Sequence, residues 1–201
     1  EDDELPPVND LYYSASGVRA FTNAQRNDFR DALDDFEDAT GILFVETQDE
    51  AMISAFGVTG SPWGGWANYP SASEYHTGSG TLILDGSNGG FGHATMLHEL
   101  GHAIGLSHPH EGEFILTDNV DDRNHTVMSY NWTNGEGEQL GPLDLQALGV
   151  LYGGPINTSG WNYSFNNGVF NLVTRFHDDK IFGVLGQNHI NGKSGNDKIF
   201  G

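Results

Sequence analysis

The stretch HELGHAIGLSHP, His98 to Pro109, decides how the rest of the chain is read. Its histidines, glutamate and second glycine follow the spacing H-E-x-x-H-x-x-G-x-x-H. On a helix of 3.6 residues per turn, positions four apart share a face, so His98 and His102 can aim their imidazoles at one ion. Glu99 lies about 100° further round, near enough to bond a water on that ion without ligating it. Gly105 can take the left-handed conformation that ends a helix, after which the chain turns back and brings His108 as the third ligand. Three neutral histidines leave a zinc ion its full double charge and an open position, where the pKa of water falls from about 15.7 toward about 7. Against a chance match stand odds of about one in 10⁴ at the chain's own residue frequencies.

Working outward, the spacing from Phe91 to Gly105 is helical, and PLDLQALGVLYG (142–153) reads as a further helix. Upstream, Phe21, Phe29, Leu33 and Phe36 recur at helical intervals, Thr22 with Gln25 has the spacing of a capping box, and Gly41 ends the run. Between these helices, GILFVET (41–47), AMISAFGV (51–58), GWANYP (65–70) and TLILD (81–85) read as short strands separated by Gly, Ser and Pro. Residues 1–19 read as an irregular, acidic lead-in. The expected architecture is α+β (α/β-like), with a small sheet packed by the first helix and a main domain over 1–160.

Several stretches resemble the serralysin branch of the metzincin zinc endopeptidases. Beside the histidine motif itself, Pro109 after the third histidine, TVMSYN (126–131), FTNAQRNDFRDALDDFEDATGILFVE (21–46), WANYP (66–70) and GPLDLQALGVLYG (141–153) carry the likeness, over roughly residues 20–153. HPHEG (108–112) departs from the small-residue turn usual there. The resemblance implies a mixed, mostly parallel sheet, three main helices and two lobes divided by a zinc cleft. It implies zinc on His98, His102 and His108, with Glu99 as general base for peptide hydrolysis. Tyr130 would be a fifth zinc ligand that swings out to bond the oxyanion. Met128, Gly105 and Pro109 would be structural support, Met128 as an apolar floor under the histidines. A secreted, extracellular bacterial enzyme, acting as a monomer, follows from the same likeness.

Charge narrows the partners. Eight Lys and Arg stand against 28 Asp and Glu, a formal −20, and no lysine occurs before Lys180. Such a surface repels phosphates and anionic lipid headgroups, which excludes nucleic acid and membrane-surface binding. The 37% hydrophobic and 11% aromatic content is enough for a core, while the apolar runs are far shorter than the roughly 20 residues of a membrane span. Without cysteine, extra stapling must come from metal or packing. The opening EDDELPPVND reads as the start of a mature or trimmed product.

The tail (161–201) parses into the nonapeptides TRFHDDKIF (174–182), GVLGQNHIN (183–191) and GKSGNDKIF (192–200), each with Ile at its eighth place. They are a degraded form of the G-G-x-G-x-D-x-U-x pattern of the calcium-binding RTX parallel β-roll. Asp179 and Asp197 fall in register as calcium ligands. With so few repeats, the expected roll is short and incomplete. The histidines outside the motif (His76, His93, His110, His125, His177 and His189) read as surface or hydrogen-bonded residues. A protein or peptide substrate is expected as an added strand on an exposed edge near TLILD or GWANYP. The competing reading is a calcium-dependent RTX adhesion or binding protein with an inactive domain of this shape; the intact Glu99 argues for the enzyme.

Overall fold

The first helix, α1 (Asn23–Thr40), starts where its side chains satisfy its first amides. Thr22 Oγ1 accepts from Gln25 N at 3.3 Å, and Gln25 Oε1 accepts from Thr22 N at 2.9 Å, the reciprocal box read in the sequence. It stops at Gly41, whose φ of +72° turns the chain and whose N–H reaches Glu37 O. Its buried face carries Ala32, Phe36 and Thr40, flanked by Phe29 and Leu33. The computed structural model describes residues 16–47, 51–69, 80–132, 138–154, 158, 160–183 and 186–200. The acidic opening 1–15, Pro70 and His76 lie outside them.

Four strands, β1 (Ser16–Arg19), β2 (Ile53–Thr59), β3 (Gly65–Ala67) and β4 (Gly80–Asp85), form a sheet in the order β1-β2-β4-β3. The sheet is mixed, but the expectation of a mostly parallel one is not met. Only β2 and β4 run parallel, while β1 pairs β2 and β3 pairs β4 antiparallel. Parallel return calls for a crossover, usually a helix, and no helix separates β3 from β4 among the described residues. Residues 16–19, expected to be irregular, form the β1 edge. Conversely, 41–47 is not a strand. Its amides at Ile42 and Phe44 bond to Thr40 Oγ1 and Glu37 Oε1 instead of to a neighbouring strand, and Arg26 and Arg30 of α1 grip Glu46. The order also corrects the expectation for TLILD, because β4 is paired on both sides and offers no free edge; β3 is the edge.

The central helix α2 (His93–Ala103) and α3 (Pro142–Tyr152) complete the helices. Leu82 and Leu84 of β4 face the core formed with Phe36, Met96, Leu97, Leu100, Met128 and Leu148. Ile83 points the other way, onto Val58 and Trp63, as the period of two requires. His93 Nε2 and Asp35 Oδ2, 2.8 Å apart, tie α2 to α1. No helix among the described residues is long and apolar enough to cross a membrane.

The C-terminal part begins with β5 (Asn162–Asn166) and β6 (Val169–Val173), an antiparallel hairpin turning on Asn167 (φ +51°) and Gly168 (φ +71°). Two successive positive φ values are the geometry of the tight hairpin turn that favours Asn-Gly. The strands β7 (Lys180–Phe182), β8 (Gln187–Asn191) and β9 (Lys198–Phe200) follow, with β6 parallel to β8 and β7 parallel to β9. Val169 pairs with Gln187 and Lys180 with Lys198, so equivalent strands lie two nonapeptides apart and alternate between two small sheets. Phe170, Leu172 and Ile181 are buried there, and Leu43 and Val45 pack on them while Phe44 packs on the main core. The run 41–47 therefore sends side chains to both clusters.

At the end of β4, the Asp85 carboxylate is fully buried and accepts from the amides and hydroxyls of Ser61 and Ser87 at 2.5–2.7 Å. Burial by itself raises its pKa, but the bonds from Ser87 and Ser61 outweigh that and hold it down at about 2. Because the folded value lies below the unfolded one, the contribution is complete above about pH 4 and fades as the pH falls through 2. Asp85→Ala should cost about 2 kcal/mol in urea unfolding at pH 7, and the gap to the parent should shrink steadily between pH 4 and pH 2. A gap that stays constant over that range would show that the carboxylate charge contributes nothing.

Candidate metal centre

The buried face of α2 brings His98 and His102 together one turn apart, and the chain beyond Gly105 (φ +105°) returns His108 to them. The Nε2 atoms of His98 and His102 lie 3.2 and 3.0 Å from Nε2 of His108. A tetrahedral ion with bonds of about 2.0–2.1 Å to imidazole separates its nitrogens by about 3.3 Å, so the three fit zinc. The other nitrogens of His98 and His102 are occupied. His98 Nδ1 donates to Val127 O at 2.8 Å and His102 Nδ1 to Leu106 O at 2.9 Å. His108 Nδ1 has Glu111 Oε2 at 3.0 Å, off the line of an ideal N–H···O bond. A proton held on each Nδ1 leaves each Nε2 lone pair for the ion. Burial pushes the His98 pKa down to about 3, against the Val127 bond that raises it, and also lowers that of His102. Both rings are thus neutral and ready to ligate at neutral pH.

Val127 O is itself held from α3. Asp144, 2% exposed, accepts from Thr126 Oγ1 at 2.6 Å and from Val127 N and Gly141 N at 2.8 Å. Burial raises the Asp144 pKa against those bonds, so the carboxylate depends on its donors. Met128, 1% exposed, lies directly under α2 at Gly101, where a Cβ would come within 2.6 Å of its sulfur. Only glycine allows the helix to sit that low on the methionine.

Glu99 is 6% exposed, and burial raises its pKa to about 8, opposed by the charge of Arg123. A dication on the histidines would pull in the same direction as Arg123, toward the carboxylate. On its other side Glu99 abuts β3, where a Cβ on Gly65 would meet Glu99 Cγ at 2.4 Å. Tyr130 Oη lies 2.8 Å from His108 Nε2, on a ring that is 56% exposed and stacked on His98. Pro109 is buried, and its carbonyl accepts from Leu116 N at 2.8 Å. His98, Glu99, His102, His108, Met128 and Tyr130, far apart in the chain, converge here. Asp179 and Asp197 do not. They meet in the tail, where Asp197 Oδ1 accepts from Asp179 N at 3.0 Å and Asp179 Oδ2 is buried without a hydrogen-bond partner.

Four residues of the site were not singled out in the sequence. Glu111, Asp144 and Arg123 carry ordinary acidic or basic letters in loops or at a helix start. Tyr69 ends the GWANY run with its ring 5.1 Å from that of His102. The signal for Asp144 was present: Pro142 with an acid two places on marks the first turn of a helix. Of the remaining histidines, His93 and His125 pair with Asp35 and Asp122 at 2.8 Å. His110 is exposed, its ring 5.1 Å from that of His108, and its ligand atoms lie within reach of His108 and Glu111.

A helix carrying two histidines and a glutamate, with a returning third histidine in a mixed α+β frame, makes a centre able to hold a metal ion. The named relatives agree with that and narrow it. The chain is 29% identical over 198 residues to serralysin of Photorhabdus laumondii, a match covering 82% of this chain and 40% of that protein. It is 29% identical to serralysin of Proteus mirabilis, covering 82% and 42%, and 28% identical to metallopeptidase AprA of Pseudomonas marginalis, covering 86% and 44%. The chain therefore spans less than half the length of these relatives. No protein-family model matches it. The chain is thus similar to the serralysins, and the histidine triad with these relatives supports zinc as its metal. A reading as an adhesion protein with a dead domain is not favoured.

If Asp144 sets the Val127 carbonyl that orients His98, then Asp144→Ala should weaken zinc binding at least about tenfold in competition with a chromophoric chelator. It should also lower stability by about 2–4 kcal/mol, since three buried donors lose their acceptor. Unchanged zinc affinity in a destabilised variant would mean that the carbonyl is placed without it.

Proposed function

We propose that this chain carries the catalytic part of a secreted bacterial zinc endopeptidase, acting as a monomer on proteins or peptides. The observation that carries this reading is the convergence of three Nε2 atoms at zinc spacing beside the buried carboxylate of Glu99. Bound to His98, His102 and His108, zinc would supply a Lewis acid and lower the pKa of water. Glu99 acts as general base. It takes a proton from the attacking water and delivers it to the departing amine, a role suited to a carboxylate whose basicity burial raises. Tyr130, close to His108 and exposed to the cleft, donates a hydrogen bond to the carbonyl oxygen as negative charge develops there. Met128, Gly105 and Pro109 hold the frame.

The substrate lies extended along β3. That strand is a sheet edge, and its Gly65 backs directly onto Glu99, so a peptide added there as a further strand would pass the base within side-chain reach. A lysine-poor surface of −20 favours cationic segments at this edge. Export is supported by the likeness to the serralysins.

In the tail we read short coils of a parallel β-roll over residues 161–201, with calcium between them. The 18-residue register of β6 with β8 and of β7 with β9 supports the roll. The buried, partnerless Asp179 Oδ2 beside Asp197 supports a hard cation with oxygen ligands.

Two measurements test this. Glu99→Gln should keep stoichiometric zinc but lose casein or peptide hydrolysis by about a thousandfold, within the range a proton-transfer group commonly contributes; undiminished turnover would remove the general-base role. Calorimetric titration of the chelator-treated, zinc-restored protein with calcium should show binding that Asp197→Ala abolishes. Absence of heat in the parent protein would remove the calcium site.

A further inference from the structure

We propose that Arg123 is a positioning residue that holds Tyr130 against the metal centre. The inference rests on the reading of Tyr130 as the oxyanion donor and concerns what aims it. Tyr130 is an exposed side chain, yet its hydroxyl is placed 2.8 Å from His108 Nε2 and its ring lies over His98. An exposed tyrosine with free rotamers would not keep that place unless the backbone carrying it were fixed.

Arg123 fixes it on both sides. Its Nε donates to Ser129 O at 2.9 Å, immediately before Tyr130, and its backbone N–H donates to Asn131 O at 3.1 Å, immediately after. Its guanidinium carbon lies 3.9 Å from the centroid of the Trp132 ring, one residue further on. Residues 129, 131 and 132 are all gripped, and 130 alone projects into the site. Asp121 reinforces the clamp, accepting from Ser129 Oγ at 2.6 Å and, through its carbonyl, from Asn131 Nδ2 at 2.8 Å.

The arginine is a costly choice for a purely structural strut. It is 6% exposed, forms no ion pair among the described residues, and its Nη1 is buried without a hydrogen-bond partner. Burying a cation without a carboxylate is unfavourable, and an apolar side chain would pack there at lower cost. What an apolar side chain lacks is a planar head that donates from Nε and offers a flat face to an indole at once. Lysine keeps the charge but has neither.

The test is a double-mutant cycle on peptide hydrolysis by the zinc-loaded protein, with Arg123→Lys and Tyr130→Phe measured singly and together below the melting temperature of each variant. Tyr130→Phe should lower kcat about a hundredfold. Arg123→Lys should lower kcat about tenfold or more with KM within about twofold, because a tyrosine displaced by a fraction of an ångström loses the transition-state bond and leaves ground-state binding alone. In the Tyr130→Phe background the same lysine should cost less than about twofold. Trp132→Ala, which removes only an exposed ring, should lower kcat severalfold in the parent and not in Tyr130→Phe. Equal factors from Arg123→Lys in both backgrounds, an effect on KM alone, or parent-like kcat in both Arg123→Lys and Trp132→Ala would overturn the assignment. If Tyr130→Phe itself leaves kcat unchanged, the tyrosine has no such role and the inference falls with it. A zinc-loaded parent without peptide hydrolysis would overturn the protease reading on which both depend.

Discussion

The hydrogen bond from His98 Nδ1 to the carbonyl of Val127 is the contact on which the site depends. A metal centre needs three imidazoles on one point, and α2 can supply only two of them with the right spacing. The third comes from a loop, and all three rings must be stopped from turning about their own bonds. Carbonyls at Val127 and Leu106 do this for the helical pair, and Glu111 stands behind His108. Val127 in turn hangs from Asp144 at the start of α3, so the orientation of a ligand on one helix is set by the first turn of another. Asp144 therefore serves twice, as the acceptor that starts its own helix and as the anchor of the turn beneath the metal.

Around that centre the fold places opposite electrostatic demands side by side. The chain as a whole is strongly acidic, yet two charged groups of the site, Glu99 and Arg123, are both buried. Burial draws the glutamate toward its neutral form, and the arginine opposes that. The sheet adds a free edge at β3, pressed so close to Glu99 that only glycine fits at position 65. Glu99 thus packs between the histidine helix and the β3 edge.

How much of this the sequence disclosed depended on range. The clustering of His98, His102 and His108, the capping box of α1 and the helix ends at Gly41 and Gly105 are set by contacts within a few residues, and they were legible. The strands β2, β3 and β4 were legible too, but other strand assignments that turn on partners were not. GILFVET has the composition of a strand, but Glu37 and Thr40 claim its amides and its side chains divide between two cores. Residues 16–19 look irregular until β2 lies beside them. The direction of pairing in the sheet, read as mostly parallel, was equally out of reach of local pattern. The β5–β6 hairpin could have been found from Asn167-Gly168 between alternating apolar residues, whereas Asp144, Arg123 and Glu111 owe their roles to atoms reached only in three dimensions.

X-ray absorption at the zinc edge of the fully loaded protein tests the central claim most directly. Three imidazole nitrogens at about 2.0–2.1 Å with one or two oxygen neighbours is the predicted shell, reduced to two imidazoles when His108 is replaced by alanine. A shell with fewer than three imidazoles in the parent, or one unchanged by loss of His108, would contradict the assignment of His98, His102 and His108 as the metal centre.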